Sequence, residues 1–365
     1  MNTIFYDLLK SAINKTALDK TVFSTLTDIE WKKLYDLSVK QGVKALTFEA
    51  IDMSSDFIFM PKSIKMNWVL NTVKVEEKFK SKFQKAAEFS KIMQSNGIHT
   101  LVLKGAAISA LYTIPEHREF GDLDCYLFTG TLQRPQWGDG YEKGNKLLEK
   151  LGVNVERDYY KHSHLFYKGL MIENHQFFLP VRGNKKVKEL EKHLRDIAFT
   201  KGKHKYAEGT NLLIPSADFN ALFLIAHAMN HFLYETIRMR HICDWAFFLK
   251  EEQGNVDWKT FYHWCDKMSY TRFVNTINYI CHHFLGIELC EDLNEDKAYV
   301  DRVLNDIWYA DNIYNKHKSK IGIRLAVARN FFHSAWKHRK MCDENPLLSL
   351  VRHCIGLLFD RTPNV

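Results

Sequence analysis

Three textures of apolar and polar residues follow one another along the chain. Through residue 96 the spacing is helical. Trp31, Leu34, Leu37, Val39 and Val43 recur near the 3.6-residue period behind Thr27-Asp28-Ile29-Glu30, where an N-cap hydroxyl and a carboxylate three residues on form a capping-box pattern. A longer helix is predicted from about Ile64 to Ser95, with the stripe Val69, Val73, Val75, Phe79, Phe83, Ala86, Phe89 and Met93. Asn96-Gly97 closes it with residues favoured past a helix C-terminus.

At Ile98 the period changes. His99 to Leu103 is apolar and β-branched and predicts a buried strand stopped by Lys104-Gly105, then a short helix over Ala106–Tyr112 closed by Pro115. Asp122 to Phe128 predicts a second strand. Gly130 to Gly144, holding Pro135, Gly138 and Gly140, reads as an exposed connection, with a helix from about Tyr141 to Leu151. Val153–Tyr160, His164–Tyr167 and Leu170–Phe178 predict further strands, the last two joined in a tight hairpin at Lys168-Gly169. After Pro215 the helical period returns. It predicts one or two helices over Asp218–Lys250, one or two over Asp257–Phe284, and others over Asp296–Tyr309 and Ile321–Lys337. No fixed-period repeat is visible. The expected division is residues 1–96, helical; 97–215, mixed α and β; and 216–365, helical.

Composition narrows the class. A hydrophobic content of 46% is too high for disorder. The longest apolar run, Phe219 to Met229, is too short for a membrane span and holds Asn and His. The N-terminus lacks the basic-then-apolar pattern of a signal peptide. Seven cysteines without CxxC or zinc spacing read as scattered reduced thiols, and so predict a cytoplasmic protein. A net charge of +8 over 365 residues suits an anionic ligand such as a nucleotide and does not point to nucleic acid, since no basic stripe with interleaved aromatics occurs.

The chemistry concentrates in Leu101–Phe128. Asp122 and Asp124 are two apart on a strand, so they share a face. Paired carboxylates repel unless a cation joins them, and hard oxygen donors favour Mg²⁺. Two such ions roughly 3.5–4 Å apart would align an attacking hydroxyl with a pyrophosphate leaving group. Lys104-Gly105 lies ahead of them in a strand–turn–helix context, where backbone can approach a triphosphate and helix N–H groups can meet it. A solvated strand end is the plain alternative. No GxSxG, Walker or GxGxxG motif is present.

Lys104-Gly105, Leu111-Tyr112, Pro115, Arg118 and Gly121-Asp122-Leu123-Asp124 together resemble the nucleotidyltransferase superfamily that includes DNA polymerase β. More narrowly they resemble a bacterial family of uncharacterised nucleotidyltransferases, which has Lys-Gly where the superfamily more often has Gly-Ser or Gly-Gly. The likeness extends to Leu170–His175 and to Ala226–His231 with Arg238, Cys243 and Asp244, covering roughly residues 28 to 250. It implies an α+β fold, in which a small mixed β-sheet is flanked by N-terminal and C-terminal helical regions. It also implies a Mg²⁺-dependent transfer from a nucleoside triphosphate, ATP included, to an unknown small-molecule or protein acceptor. A third carboxylate on a neighbouring strand completes the superfamily's site. Glu173 is the candidate, with a solvent-facing edge position as its alternative, and His175 would lie on the substrate side.

Lys104 and Arg118 would add charge toward the triphosphate, as a point charge and a planar fork. Arg118 reads equally as one half of an ion pair that orders its loop. His227 and His231, four apart on a helix, have a spacing that could bind zinc but lack the HExxH glutamate, so lining an interface is the other reading. Asp244 would contact substrate, or cap or pair within the helices. His282-His283 reads as packing. The rival to an enzyme is a catalytically silent protein of the same fold that binds a nucleotide or a partner, as antitoxin-like or regulatory modules do.

Overall fold

Thr27 caps its helix as the spacing predicts: its hydroxyl accepts from the Glu30 amide, and Glu30 accepts from the Thr27 amide at 2.8 Å. The computed structural model describes residues 2–182, 184–200, 205–309, 334–342, 345–348 and 351. Its first helices are α1 (Asn2–Asn14), α2 (Lys20–Phe23), α3 (Asp28–Gln41), α4 (Lys44–Met53) and α5 (Lys62–Ser95). The buried stripe of α5 is Trp68, Thr72, Val75, Phe79, Ala86, Phe89 and Met93. Val73 falls outside it and is exposed, because one residue off the stripe is a 100° turn away.

The sheet begins with β1 (His99–Val102), followed by the short helix α6 (Lys104–Ile108) and 3₁₀ turns at Ser109–Leu111 and Pro115–His117. Next come β2 (Leu123–Thr131), β3 (Arg134–Gln136) and α7 (Trp137–Lys150), then the meander β4 (Val155–Tyr159), β5 (His162–Tyr167) and β6 (Leu170–His175). The β5–β6 turn uses left-handed φ at both Lys168 (+49°) and Gly169 (+78°), the conformation a two-residue hairpin needs. With β7 (Lys205–Tyr206) and β8 (Leu212–Ile214) from later in the chain, the order is β4-β5-β6-β2-β1-β8-β7, and β3 is added to β2. Strands β2 and β6 run parallel, while β1 and β2 run antiparallel, so the sheet is mixed and the fold is α+β.

Two stretches differ from expectation. The exposed connection expected over Gly130–Gly144 is instead β3 and the first half of α7. Glycine is a poor helix former, which hides this start, but the packing requires it. A Cβ on Gly140 would lie 2.2 Å from the Leu127 carbonyl oxygen, and one on Gly144 2.2 Å from Leu127 Cδ1. The second is the helix α8 (Lys185–Thr200) with the strands β7 (Lys205–Tyr206) and β8 (Leu212–Ile214), a stretch in which the sequence predicts no element. Strand β8 pairs parallel to β1.

The C-terminal layer holds α9 (Ala217–Tyr234), α10 (Met239–Glu252), α11 (Trp258–Met268), α12 (Thr271–Leu285) and α13 (Val300–Tyr309). Residues 334–341 are also helical, and the rest of the helix expected over Ile321–Lys337 lies outside the described residues. One core joins α1 and the C-terminal helices to one sheet face, through Leu101, Leu103, Tyr126 and Phe128. The opposite face, with Val102, Leu123, Cys125, Leu127 and Ile172, packs with α5 and α7. Strand β2 is thus buried on both sides, its odd residues against α5 and α7 and its even residues toward the C-terminal helices.

Candidate active site

Register decides which side chains meet. Asp124 on β2 pairs with Glu173 on β6, and Glu173 pairs with His164 on β5. Two residues on, Tyr126, His175 and His162 form the next row of the same face. Asp122, just ahead of β2, shares that face, and ligand oxygens of Asp122, Asp124 and Glu173 lie within 4.8 Å of one another. The structure therefore brings the three expected carboxylates together.

Their electrostatics are unequal. Burial and the neighbouring charges of Asp124 and Glu173 raise the Asp122 pKa, with Lys104 opposing. Burial would raise Asp124 too, but the Lys104 charge and a hydrogen bond from His175 outweigh it and hold Asp124 below its ordinary value. Glu173 is lowered as well, because the nearby His162 and His175 rings and the Lys104 charge overcome its burial.

Lys104 has a left-handed φ of +53° and places Nζ 2.6 Å from Asp124 Oδ1. Burial would lower its pKa, but Asp124 and Glu173 raise it above the ordinary value. Of the Lys104-Gly105 turn, Lys104 is therefore the left-handed residue. Gly105 instead makes room: a Cβ there would stand 3.0 Å from Arg118 Nη1 and 3.1 Å from Phe120 Cβ.

Arg118 does not present its fork to the carboxylates. It is buried, donating from Nε to Asp244 Oδ1 at 2.5 Å, from Nη2 to Asp244 Oδ2 at 2.7 Å, and from Nη1 to the Glu119 carbonyl. Tyr112 adds a hydroxyl bond to Asp244 Oδ1 at 2.7 Å. Arg118 and Asp244 thus occupy each other, the ion-pair alternative of the sequence reading. The same loop is tied to the N-terminal helices. Lys82 of α5 donates to the carbonyls of Phe120 and Gly121, at 2.8 and 2.7 Å, immediately before Asp122. His117 donates to Glu49 of α4 at 2.6 Å and to Glu76 of α5 at 2.9 Å.

His227 and His231 meet on α9, their rings 4.5 Å apart, with His241 of α10 at 6.4 and 5.6 Å from them. Among the described residues they do not form a three-ligand cluster. His231 pairs with Glu235, and His241 Nδ1 accepts from the Arg238 amide. Burial and the Lys104 charge push His227 well down, so its imidazole is neutral. His282 and His283 are exposed and share Glu295, so they are not packing residues.

Sequence reasoning missed Lys161, His162, His164 and His241. Lys161 sits on the turn before β5, where burial and then Lys104 push its pKa down to about 8. Burial takes His162 down to about 4 against the pull of Glu173. The signal for the histidines was present: His162-Ser-His164 and Glu173-Asn-His175 are two period-2 pairs flanking one hairpin.

A family model described as uncharacterised nucleotidyltransferase matches residues 27–286, a span that holds every residue of this site. No curated protein and no solved structure matches the chain.

Proposed function

The chain belongs to the uncharacterised nucleotidyltransferase family, and from that premise we propose that it moves a nucleoside monophosphate from a nucleoside triphosphate to an acceptor hydroxyl or phosphate, releasing pyrophosphate. The observation that carries this reading is the carboxylate trio on two hydrogen-bonded strands, with oxygens within 4.8 Å. An all-oxygen, acidic donor set fits Mg²⁺, and Asp122, Asp124 and Glu173 would hold it. Bound there, the ion would draw negative charge from the triphosphate and the attacking oxygen.

The rest falls to the chain's own side chains. Lys104, beside Asp124, and Lys161, whose charge is felt by the same groups, would meet phosphate oxygens as point charges. The Arg118–Asp244 pair and Lys82 fix the loop that enters β2, so Asp122 is positioned before substrate arrives. The neutral His227 ring, beside His231 and His241, would line the acceptor side as a hydrogen-bonding group rather than as a base.

Transfer from α-labelled nucleoside triphosphates, with Mg²⁺ and separate metabolite, protein and RNA pools, tests this. Label should enter one pool, and Asp122→Asn combined with Asp124→Asn should cut transfer by at least roughly 10²–10³-fold. Transfer surviving that double substitution would refute the site. Nucleotide binding without transfer to any pool would favour the catalytically silent binding module instead.

A further inference from the structure

Beside the all-oxygen cluster lies a second donor set of different chemistry. His162, Glu173 and His175 bring ligand atoms within 4.8 Å of one another. His162 Nδ1 is 3.0 Å from Glu173 Oε2, and His175 Nε2 is 3.3 Å from the same oxygen and 3.0 Å from Asp124 Oδ1. Two ligands at ~2.0–2.1 Å from a tetrahedral ion stand about 3.3 Å apart, which these separations approach.

Hydrogen bonding alone can produce such distances, so orientation has to decide. His162 is 9% exposed, and its buried Nδ1 has no hydrogen-bond partner among the described residues despite lying 3.0 Å from a carboxylate oxygen. That is the relation of two ligands converging on a shared cation rather than of a donor and its acceptor. His175 adds the arrangement typical of a metal ligand: Nδ1 donates to the Phe177 carbonyl at 3.2 Å, so a cation bound at Nε2 would replace the proton that Nε2 otherwise offers Asp124. A proton on Nε2 would account for His175 between two carboxylates, but not for the unmatched His162 nitrogen.

We propose that His162 Nδ1, His175 Nε2 and Glu173 form a binding site for a borderline first-row divalent ion, Zn²⁺, next to the Mg²⁺-type carboxylates Asp122 and Asp124. Two imidazoles and a carboxylate favour such ions over Mg²⁺, which keeps oxygen ligands. The inference deepens the nucleotidyltransferase reading and rests on it in that Glu173 belongs to both donor sets. The site would then hold two unlike ions.

Pulsed electron paramagnetic resonance on the chelator-stripped full chain, given one equivalent of Cu²⁺ as a paramagnetic stand-in for Zn²⁺ and no nucleotide, reads the ligands directly. Nitrogen modulation from histidine is expected in the unsubstituted protein. It should be lost in His162→Gln with His175→Gln and kept in Asp122→Asn. Zn²⁺ binding measured calorimetrically in excess Mg²⁺ should weaken in His162→Gln by at least roughly 10–100-fold, the amount that even an outer partner's removal costs. A spectrum of the unsubstituted protein without nitrogen coupling, or Zn²⁺ displaced by Mg²⁺, would overturn the proposal, and either is readable if the variants fail to fold. Nucleotide transfer with Mg²⁺ alone is scored separately, so losing this site leaves the transferase reading standing.

Discussion

Replacing Asp244 by Ala strands two buried partners at once. Arg118 is 6% exposed and Asp244 5%, and two of the three guanidinium bonds end on that one carboxylate. Removing one half of a buried ion pair leaves an uncompensated charge, at a cost of ~3–5 kcal/mol. The Tyr112 hydroxyl loses its acceptor as well, which by itself costs about 1–3 kcal/mol for a buried group. The two losses share a site and do not simply add, so a net loss of about 4 kcal/mol or more is expected. Urea unfolding followed by tryptophan fluorescence reads this as a lowered midpoint. Arg118→Leu with Asp244→Leu should recover at least about 2 kcal/mol relative to the sum of the single changes, because no buried charge remains unpaired. An Asp244→Ala cost below about 1 kcal/mol, or strict additivity in the double variant, would refute the account of Arg118 as a structural partner. So would an Arg118→Lys variant of unchanged stability whose nucleotide affinity collapsed.

Gly140→Ala should destabilise by at least ~1–3 kcal/mol, since its Cβ would meet the Leu127 backbone, whereas Gly138→Ala in the same helix has open space and should gain up to about 1 kcal/mol; melting temperatures that fail to move in opposite directions would count against the close contact. Lys161 should react with an amine-directed acylating reagent with a midpoint near pH 8, against 10.5 for an ordinary lysine, and peptide mass spectrometry showing no such early titration would contradict its placement. For His117, burial lowers the pKa but the bonds to Glu49 and Glu76 raise it more, so its folded value stands above 6.5. The imidazolium's contribution is then complete below pH 6.5 and lost as pH climbs through the folded value. The melting-temperature gap between the protein and His117→Gln should shrink over that window, and a gap that widens with pH would sink the clamp.

What could be seen in the sequence was local. Asp122 and Asp124 declare a shared face by their spacing, and Thr27 with Glu30 declares a helix start, because both patterns are complete within a few residues. The pairing of β2 with β6 is different: the register that sets Asp124 beside Glu173 joins residues 49 apart, and no local period encodes it. The Arg118–Asp244 pair spans 126 positions and is equally silent in sequence. Strand β8, three residues before Pro215, is too short to show alternation. The glycines of α7 misled for a physical reason, since their cost to the helix is offset by a tertiary contact that only the folded sheet supplies.

The clasp of Lys82 on the Phe120 and Gly121 carbonyls bears on how this protein can be dissected. The fastenings of the loop that leads into Asp122 include Lys44 and Glu49 on α4 and Glu76 and Lys82 on α5. A fragment cut at the visible change of texture near residue 97 would keep all three carboxylates and lose every one of those fastenings. The smallest piece able to report on the chemistry therefore has to start ahead of Lys44, and the N-terminal helices count as scaffolding for the acid cluster rather than as its covering.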